Sequence, residues 1–310
     1  MTRIRRSALH STAYVYFESV ARLGSVRKAA AELFVAPSAV SHQIRLLEDE
    51  LGAPLFNRLP RGFRLSSAGE TLLHHVRRGV SEIERAREFI RNLSGMRSGA
   101  ASVATVEGVA VGPLAEVLEG FWARWPNVRV GVTTGSSAQA FDAVDSGAAD
   151  LGLAYATPES PRARLLAQAE LRVGAILRAD HPLADRAGLS VRQLVDAGLP
   201  LLLADRSVGV RAMLESTLGR DALRLLPRLE TNSLMMMTQL ALKGVGVAVK
   251  TRIGVERELA AGALAFVPLR DLRGKSQRLR LFCREGTSLP PASQALAADL
   301  AAKLAGLHGQ

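Results

Sequence analysis

Residues 38–45 carry five side chains that are suited to reading base edges in double-stranded DNA. Their hydroxyl, imidazole, amide and guanidinium groups donate and accept the kinds of hydrogen bond that base pairs offer in the major groove. If one helix presents these groups on a single face, it can distinguish one DNA sequence from another. The five residues are Ser38, Ser41, His42, Gln43 and Arg45.

Two short helices are predicted to position this polar face. Ser25 can cap the first, over residues 26–33, and Pro37 suits the first turn of the second, over residues 37–51. The second helix has an apolar stripe that leaves the polar face in solvent. This pattern predicts a helix-turn-helix, and the alternative is a helical hairpin whose polar face is only solvated. The stripe is Val40, Ile44, Leu47 and Leu51, and the further predicted DNA contacts are Ser25, Arg27, Lys28 and Pro37.

A basic hairpin follows the two helices. Residues 55–65 read as two short extended runs about a turn that contains Pro60 and Gly62. Arginine recurs at every third position, so the hairpin offers cations to phosphates or to the minor groove. The pattern predicts a wing beside the second helix and weakens the plain-hairpin alternative. The arginines are Arg58, Arg61 and Arg64.

Several motifs resemble the LysR-type transcriptional regulators, and they stand in the family's order. They are Ala-Ala-Ala-Glu-Leu-Phe-Val, Ser-Ala-Val-Ser-His-Gln-Ile, Leu-Glu-Asp-Glu-Leu-Gly-Ala-Pro-Leu-Phe and Leu-Ser-Ser-Ala-Gly. The resemblance implies an all-α winged helix-turn-helix, a long linker helix and an α/β effector-binding domain of two subdomains that resembles periplasmic binding proteins. It also implies operator DNA and a small organic effector as partners, and dimers that commonly pair into tetramers. The family often has Arg where His42 stands.

Length and charge indicate several domains and an anionic partner. The chain has 310 residues, enough for two or three domains, and 40 basic against 29 acidic side chains give a net charge of +11. Residues 1–95 hold 15 basic and 9 acidic side chains, so over half of the excess charge accompanies the helix-turn-helix. We expect double-stranded DNA as the partner of this region.

Cysteine usage and hydropathy argue against a secreted or membrane protein. Cys283 is the one cysteine, so an intrachain disulfide is excluded, and we read it as a small core residue. No stretch approaches the roughly 18 consecutive apolar residues of a membrane span, and no apolar signal core follows the basic start. We therefore expect a cytoplasmic protein without a membrane partner, metal or cofactor.

A long helix is predicted over residues 68–93, after a cap at Ser66 or Ser67. Its apolar and small residues alternate at steps of four and three, which is the spacing of a coiled-coil seam. A second copy of the chain is the simplest partner, so we predict a dimer. The alternative, a helix packed on its own domain, stays open because Gly79 and Ala86 weaken the seam. The predicted dimer contacts are Leu72, Val76, Ile83, Ile90 and Leu93.

Beyond a small-residue linker, the pattern changes to alternating strands and helices, which predicts α/β units with a mostly parallel sheet. Residue 101 begins this region, and its first helix is predicted at residues 112–125. The resemblance implies that the last strand and helix return to the first α/β unit. The predicted domains are a DNA-binding domain at 8–66, a linker helix at 67–95 and an effector domain at 101–310, with subdomain I at 101–165 and 270–310 and subdomain II at 166–269.

Ligands of open α/β sheets lie at the carboxyl ends of strands, where helix N-termini present free N–H groups. Ordinary N-capping is the alternative role for residues 231–233, and core filling is the preferred role for Met235, Met236 and Met237. The acidic side chains argue against a highly charged anion, so we predict a modest organic metabolite. The candidate effector contacts are Glu107, Gly108, Val109, Thr134, Gly135, Ser136, Tyr155, Asp205, Thr231, Asn232, Ser233 and Lys250.

The sequence contains no recognisable catalytic set. The histidines have no metal spacing with carboxylates or with Cys283, and no glycine-rich phosphate loop or nucleophile elbow is present. His74 and His75 are adjacent on the long helix and diverge, so we read them as solvated surface. We expect a regulator and no enzyme. The alternatives are a two-lobed solute receptor, or an enzyme with an appended DNA-binding domain.

Overall fold

Short helices and one hairpin build the first of two compact units. In the computed structural model, these units are residues 1–93 with 146–148, and residues 94–145 with 149–310. The structure describes residues 11–59, 62–91, 98–155, 163–206, 208–219, 226–272 and 274–307. The first unit contains α1 (Thr12–Leu23), α2 (Val26–Leu33), α3 (Pro37–Leu51), β1 (Phe56–Leu59), β2 (Gly62–Leu65) and α4 (Ser67–Arg91).

The helix-turn-helix has the predicted bounds, because its end signals agree with its apolar stripe. Ser25 caps α2, Pro37 opens α3, and Gly52 ends α3 in the left-handed conformation. The predicted burial of Leu51 is wrong. This side chain is 51% exposed, because it stands at the last residue of α3, beyond the packed core. The core includes Val15, Phe17, Val20, Ala29, Val40, Ile44 and Leu47.

The first turns of α4 belong to the same core. Ser66 is the cap, and its Oγ accepts a hydrogen bond from the backbone N–H of Gly69 at 3.0 Å. Val76 is buried in the core of its own unit, and Leu72 packs partly against that core. The prediction that Val76 faces a second chain is therefore wrong. The helical repeat alone does not show whether the apolar residues of each turn pack on the same unit or on a second chain.

The later turns of α4 keep apolar residues near solvent. Ile83 is half-buried and Ile90 is 67% exposed. Gly79 and Ala86, which weaken the predicted seam, are also exposed. Leu93, the last predicted dimer contact, lies outside the described residues. Ile83 and Ile90 therefore remain available for a contact with a second chain.

The second unit contains two five-stranded sheets. The first has the strand order β4-β3-β5-β12-β6, and the second has the order β11-β7-β10-β8-β9. Their strands are β3 (Gly99–Thr105), β4 (Val128–Thr134), β5 (Leu151–Tyr155), β6 (Ala163–Leu171), β7 (Gly174–Arg178), β8 (Leu201–Ala204), β9 (Pro227–Thr231), β10 (Val247–Lys250), β11 (Leu264–Pro268) and β12 (Gln277–Arg284).

Helices flank both sheets. The segment Ala110–Leu114 follows α5 and is kinked at Gly112, and a 3-10 turn lies at Arg270–Leu272. The terminal helix packs on β3 and β6, so the chain end returns to the first sheet as the resemblance implies. The helices are α5 (Glu107–Val109), α6 (Ala115–Arg124), α7 (Ser137–Asp145), α8 (Val191–Asp196), α9 (Gly209–Leu218), α10 (Leu234–Leu242), α11 (Glu256–Ala260) and α12 (Pro291–Gly306).

Each sheet is mixed, so the expectation of a mostly parallel sheet is corrected. In the first, β3 is parallel to β4 and β5, while β12 is antiparallel to β5 and β6. In the second, β8 is parallel to β9 and β10, while β7 is antiparallel to β10 and β11. The antiparallel strands lie where the chain crosses between the sheets. β6 stays in the first sheet as far as Leu171, beyond the boundary predicted at residue 166.

Local pattern misses two strands and the short helix α11. β6 and β9 are not predicted, since β6 has no clean alternation and β9 begins with Pro227, which is unfavourable in a strand. Pairing with distant strands stabilises both. A short helical segment at Glu107–Val109 precedes the helix predicted from Gly112, and the chain kinks between them, because the backbone of Gly112 is not helical (φ −99°, ψ −109°). A Cβ on Gly112 would lie 2.9 Å from a carboxylate oxygen of Glu256 and 3.1 Å from the backbone nitrogen of Gly254, so the segment is closely packed at this kink.

Candidate functional site

The polar face of α3 lies in solvent. Ser38, Ser41, His42 and Arg45 are exposed, and Gln43 is half-buried. This orientation follows from the opposite stripe, whose side chains enter the core between α1 and α2. The face therefore offers hydroxyl, imidazole, amide and guanidinium groups to a groove of DNA.

Basic residues flank that face. Arg27 and Lys28 on α2 are exposed, as is Arg64 on β2. Arg61 and the side chain of Arg58 lie outside the described residues. The exposed guanidinium and ammonium groups are suited to phosphate contacts.

Two of the predicted DNA contacts have structural roles in the helix-turn-helix. The Oγ of Ser25 accepts a hydrogen bond from the backbone N–H of Lys28 at 3.4 Å, as an N-cap does. Pro37 is exposed and fills the first turn of α3. Both residues shape the polar face whether or not they touch DNA.

Phe34 is a feature of the turn that sequence reasoning missed. It ends α2 at φ 54° and is 93% exposed. A left-handed backbone is unfavourable for a residue with a Cβ, and helices more often end there with Gly or Asn. Helix signals could have identified this strain, since the turn between α2 and α3 contains no glycine.

A cavity of about 540 Å³ lies in the second unit. It gathers segments that are far apart in the sequence, from the ends of β3, β4, β5 and β9 and from the starts of α7, α9 and α10. Of the predicted effector contacts, the cavity brings together Glu107, Thr134, Gly135, Ser136, Tyr155, Asn232 and Ser233. Sequence reasoning missed Val106, Ser137, Gln139, Val208, Gly209 and Leu234.

Five predicted effector contacts do not line this cavity. Gly108 packs against the backbone of Ile253, and Val109 belongs to the core of the first sheet. Asp205 and Thr231 are joined by a backbone hydrogen bond of 3.0 Å beside β8 and β9. Lys250 is 2% exposed and donates from Nζ to the Oγ1 of Thr238 at 3.3 Å. Strand ends identify the right loops, but they do not say which side chain points inward.

Hydrogen bonds within the chain satisfy the start of α7. The Oγ of Ser136 accepts from the backbone N–H of Gln139 at 3.2 Å, and the Oε1 of Gln139 accepts from the backbone N–H of Ser136 at 2.8 Å. This pair is a capping box, in which two N–H groups are satisfied reciprocally. The spacing Ser-x-x-Gln is visible in the sequence and could have identified Gln139.

The start of α10 is capped from two sides. The Oγ of Ser233 accepts from the backbone N–H of Met236 at 3.2 Å, so the predicted N-capping role is present. A carboxylate oxygen of Glu107 accepts from the hydroxyl of Ser233 at 3.1 Å, and the other accepts from the backbone N–H of Met235 at 3.2 Å. Glu107 thus reaches from the first sheet's side of the cavity to a helix of the second sheet.

Three ionisable groups near the strand ends have pKa values that burial shifts. The hydroxyl of Tyr155 is 3.0 Å from the Oγ1 of Thr251, and burial raises the pKa of Tyr155 to about 12. Burial lowers the pKa of Lys250 to about 8, although nearby Glu256 and Glu107 oppose the shift. Burial also raises the pKa of Glu256. The contact between Tyr155 and Thr251 joins strand ends of the two subdomains.

The remaining sequence candidates have structural surroundings. Cys283 is buried in the core of the first sheet, as predicted. His75 is exposed, and the rings of His74 and His75 meet edge to face at 5.4 Å. Met237 is core, but Met236 is 48% exposed, so core filling is the wrong role for that residue. Among the residues that the structure describes, no group of three or more His, Cys, Asp or Glu is arranged to hold a metal.

Two family models match the chain. The model described as LysR substrate binding domain matches residues 94–305, and the model described as bacterial regulatory helix-turn-helix protein, lysR family, matches residues 12–70. The chain belongs to the LysR family of transcriptional regulators. The predicted family, fold class and regulatory function are thereby confirmed, and the solute receptor and the enzyme are disfavoured.

Relatives along the full length agree with membership of the LysR family. The HTH-type transcriptional regulator CbbR of Rhodospirillum rubrum is 29% identical over 96% of this chain and 98% of its own. Full-length OxyR from Pseudomonas aeruginosa superposes with a TM-score of 0.70 at 19% sequence identity. The match covers 96% of this chain and 95% of the OxyR chain. CbnR in complex with its target DNA, covered to 98%, has a TM-score of 0.63 at 18% identity over 94% of this chain. These two structures share the fold.

Within the described part of the chain, no helix combines the length and the apolar character needed to cross a membrane.

Proposed function

We propose that this LysR-type regulator reads operator DNA with the exposed face of α3 and takes a small organic effector in the cavity of its α/β unit. The exposed polar face of α3 carries the proposal, because it offers base-reading groups from a helix that the core holds in place. DNA reading is assigned to residues 8–66, pairing to residues 67–95 and effector binding to residues 101–310. We assign the chain a binding role and no reaction, and we place it with its DNA in the cytoplasm.

Base reading is assigned to Ser38, Ser41, His42 and Gln43, and contacts with phosphates or the minor groove are assigned to Arg58, Arg61 and Arg64. Hydrogen bonds to base edges carry sequence information, whereas phosphate contacts position the protein on any sequence. An imidazole at residue 42 cannot make the bidentate guanine contact of an arginine. We therefore expect an operator preference that differs from that of relatives with Arg at this position.

Effector binding is supported by the position of the cavity between the two sheets. A ligand held there touches both subdomains, so it can bind two arrangements of them with different affinity and shift their populations. Copies of the chain pair through the later turns of α4, where Ile83 and Ile90 are the assigned contacts. Paired DNA-binding units would then meet two half-sites of an operator.

The decisive experiment begins with the DNA that the purified protein retains from a fragmented genome. Once sequencing has identified an operator, the ratio of specific to nonspecific affinity is measured for wild type, His42→Ala and Gln43→Ala. Each lost contact should lower the free-energy difference between specific and nonspecific binding by roughly 1–3 kcal/mol. Arg64→Ala is the matched comparison, and it should weaken binding to all sequences alike. Unchanged ratios for both α3 variants would contradict the assignment.

A further inference from the structure

The carboxylate of Glu107 occupies the N-terminus of α10, one of the places where an anionic ligand would be expected. The backbone N–H of Met235 donates to one carboxylate oxygen at 3.2 Å, and the hydroxyl of Ser233 donates to the other at 3.1 Å. The backbone N–H of Met236 is taken by the Oγ of Ser233, and that of Ser233 by the Oγ1 of Thr231 at 3.1 Å. These donors at the start of the helix are therefore satisfied within the chain.

The charge that the cavity presents is negative. Among the described residues that line the cavity, Glu107 is the one with a formal charge, and the others are neutral polar or apolar. Lys250 interacts electrostatically with Glu107, but its side chain is buried and its Nζ is bound to Thr238. A ligand carboxylate would therefore meet a like charge without a cation in the lining to offset it.

Two more helices, α7 and α9, begin at the cavity. Helix α7 is also closed to an anion, whereas the start of α9 has no side-chain cap. The first turn of α7 is satisfied by the reciprocal hydrogen bonds of Ser136 and Gln139. Side chains that remain at the lining, such as those of Thr134 and Asn232, offer hydrogen bonds without charge. Glu107 is half-buried, and its carboxylate has further lone pairs with which to accept from a ligand.

We propose that Glu107 determines the ligand class of this cavity. Its carboxylate fills the anion position at α10, excludes ligand carboxylates from that position and selects effectors that present an ammonium, guanidinium or amide N–H group to it. The same carboxylate joins the two subdomains, since Glu107 follows β3 of the first sheet and Ser233 follows β9 of the second. The inference rests on the proposed role of the cavity as the effector site, but its tests need neither operator nor effector.

The first test uses acetate as a probe of the position that Glu107 fills. Both tryptophans, Trp122 and Trp125, belong to the α/β unit, so fluorescence follows the unfolding of that unit in the full chain. In Glu107→Ala, sodium acetate should raise Tm by at least about 2 °C over an equal concentration of sodium chloride, as expected for a ligand that binds the folded state. Wild type should show no such difference.

Two controls make the acetate test specific. Glu107→Gln keeps the side chain in place without its charge, so acetate should still be excluded. Glu119→Ala removes an exposed carboxylate on α6 and should behave as wild type. An equal response to acetate in wild type and Glu107→Ala, or none in either, would overturn the proposal.

A second measurement needs no variant and covers the case in which Glu107→Ala does not fold. Ligand-observed NMR compares butylammonium, butyramide and butyrate as probes of similar size on the wild-type chain. The net charge of +11 opposes nonspecific electrostatic binding of butylammonium to the chain. We expect saturation transfer to butylammonium and to butyramide to be at least threefold stronger than to butyrate. Butylammonium and butyramide should each reduce the signal of the other, because they occupy the same site. Preferential binding of butyrate would overturn the proposal.

Discussion

Ser25 and Ser233 hold the same helical position in the two units, but they differ in reach. Ser25 accepts a hydrogen bond from the N–H of Lys28 and organises one turn of α2. Ser233 caps Met236 in the same way and also donates to Glu107, on the other side of the cavity. One residue type therefore makes a local contact in the DNA-binding unit and a long-range contact in the α/β unit.

This difference extends to the two candidate sites. The polar face of α3 comes from one continuous helix, so its chemistry depends on a single apolar stripe. The cavity gathers side chains from segments that are far apart in the sequence, and its chemistry depends on how strands pair. We expect substitutions in the first site to act locally, and those in the second to be felt across both sheets.

The largest effect is expected at α4, because a substitution there should affect the contact with a second chain and not only its own unit. Ile83→Asp would place a carboxylate without a partner in the predicted contact between two chains, at a cost of several kcal/mol. Sedimentation should then show a shift from dimer to monomer at concentrations where wild type is paired. Ser81→Asp adds the same charge on another face of α4 and should leave the dimer intact. An intact, folded Ile83→Asp dimer would move the contact elsewhere.

A buried charge in each unit provides the next test. Glu18 on α1 is fully buried, with a raised pKa because of burial, and Arg22 and Arg77 lie 3.6 Å and 3.9 Å from its carboxylate. In the α/β unit the buried group is a cation near acidic side chains. Burial lowers the pKa of Lys250 from 10.5 to about 8. The unfolded chain then binds more protons between these values, so the α/β unit should become more stable as pH rises.

The expected gain from Lys250 is about 3 kcal/mol across its full window, and it is lost as pH falls through 8. Tyr155 acts in the opposite direction above pH 10, because its pKa is raised from 10.0 to about 12. Urea unfolding followed by tryptophan fluorescence should therefore show stability rising between pH 8 and 10. Lys250→Met should flatten this rise, and Lys243→Met, at an exposed position, should keep it. Equal slopes in wild type and Lys250→Met would contradict the assignment.

The paired serines provide a smaller and more direct test of reach. Ser233→Ala removes a cap and a hydrogen bond to a carboxylate, so we expect a loss of about 2–3 kcal/mol. Ser25→Ala removes a cap alone, and we expect about 0.5–1 kcal/mol. Hydrogen exchange should increase only in α2 for Ser25→Ala, but in both α10 and the segment around Glu107 for Ser233→Ala. A change confined to α10 would mean that the long-range bond contributes little.

The smallest effect is expected at Phe34 and has the opposite sign. Phe34→Asn should stabilise the first unit by up to about 1 kcal/mol, because Asn tolerates the left-handed backbone better. Phe34→Ala removes the exposed ring but keeps a Cβ, so it separates the effect of the backbone from that of the ring. Circular dichroism gives the unfolding midpoints of the two variants. Equal midpoints would show that the backbone strain is negligible.

Local patterns predict the DNA-binding unit well. The bounds of α2 and α3 follow from Ser25, Pro37 and Gly52, and the exposed face follows from the stripe of Val40 and Ile44. The same periodicity fails at Leu51 and Val76. Leu51 lies at the end of α3, beyond the packed core, and is exposed. Val76 is buried against residues of its own unit and not against a second chain.

The sequence by itself determined the family, the reading helix and the loops around the cavity, because helix caps and an apolar repeat of about 3.6 residues are properties of neighbouring residues. The tertiary structure decided that Lys250 is buried, that Gln139 lines the cavity and that Glu107 caps α10. These outcomes depend on pairings between strands far apart in the chain. No local period encodes such a pairing, because its free energy comes from contacts that exist only after both sheets have formed.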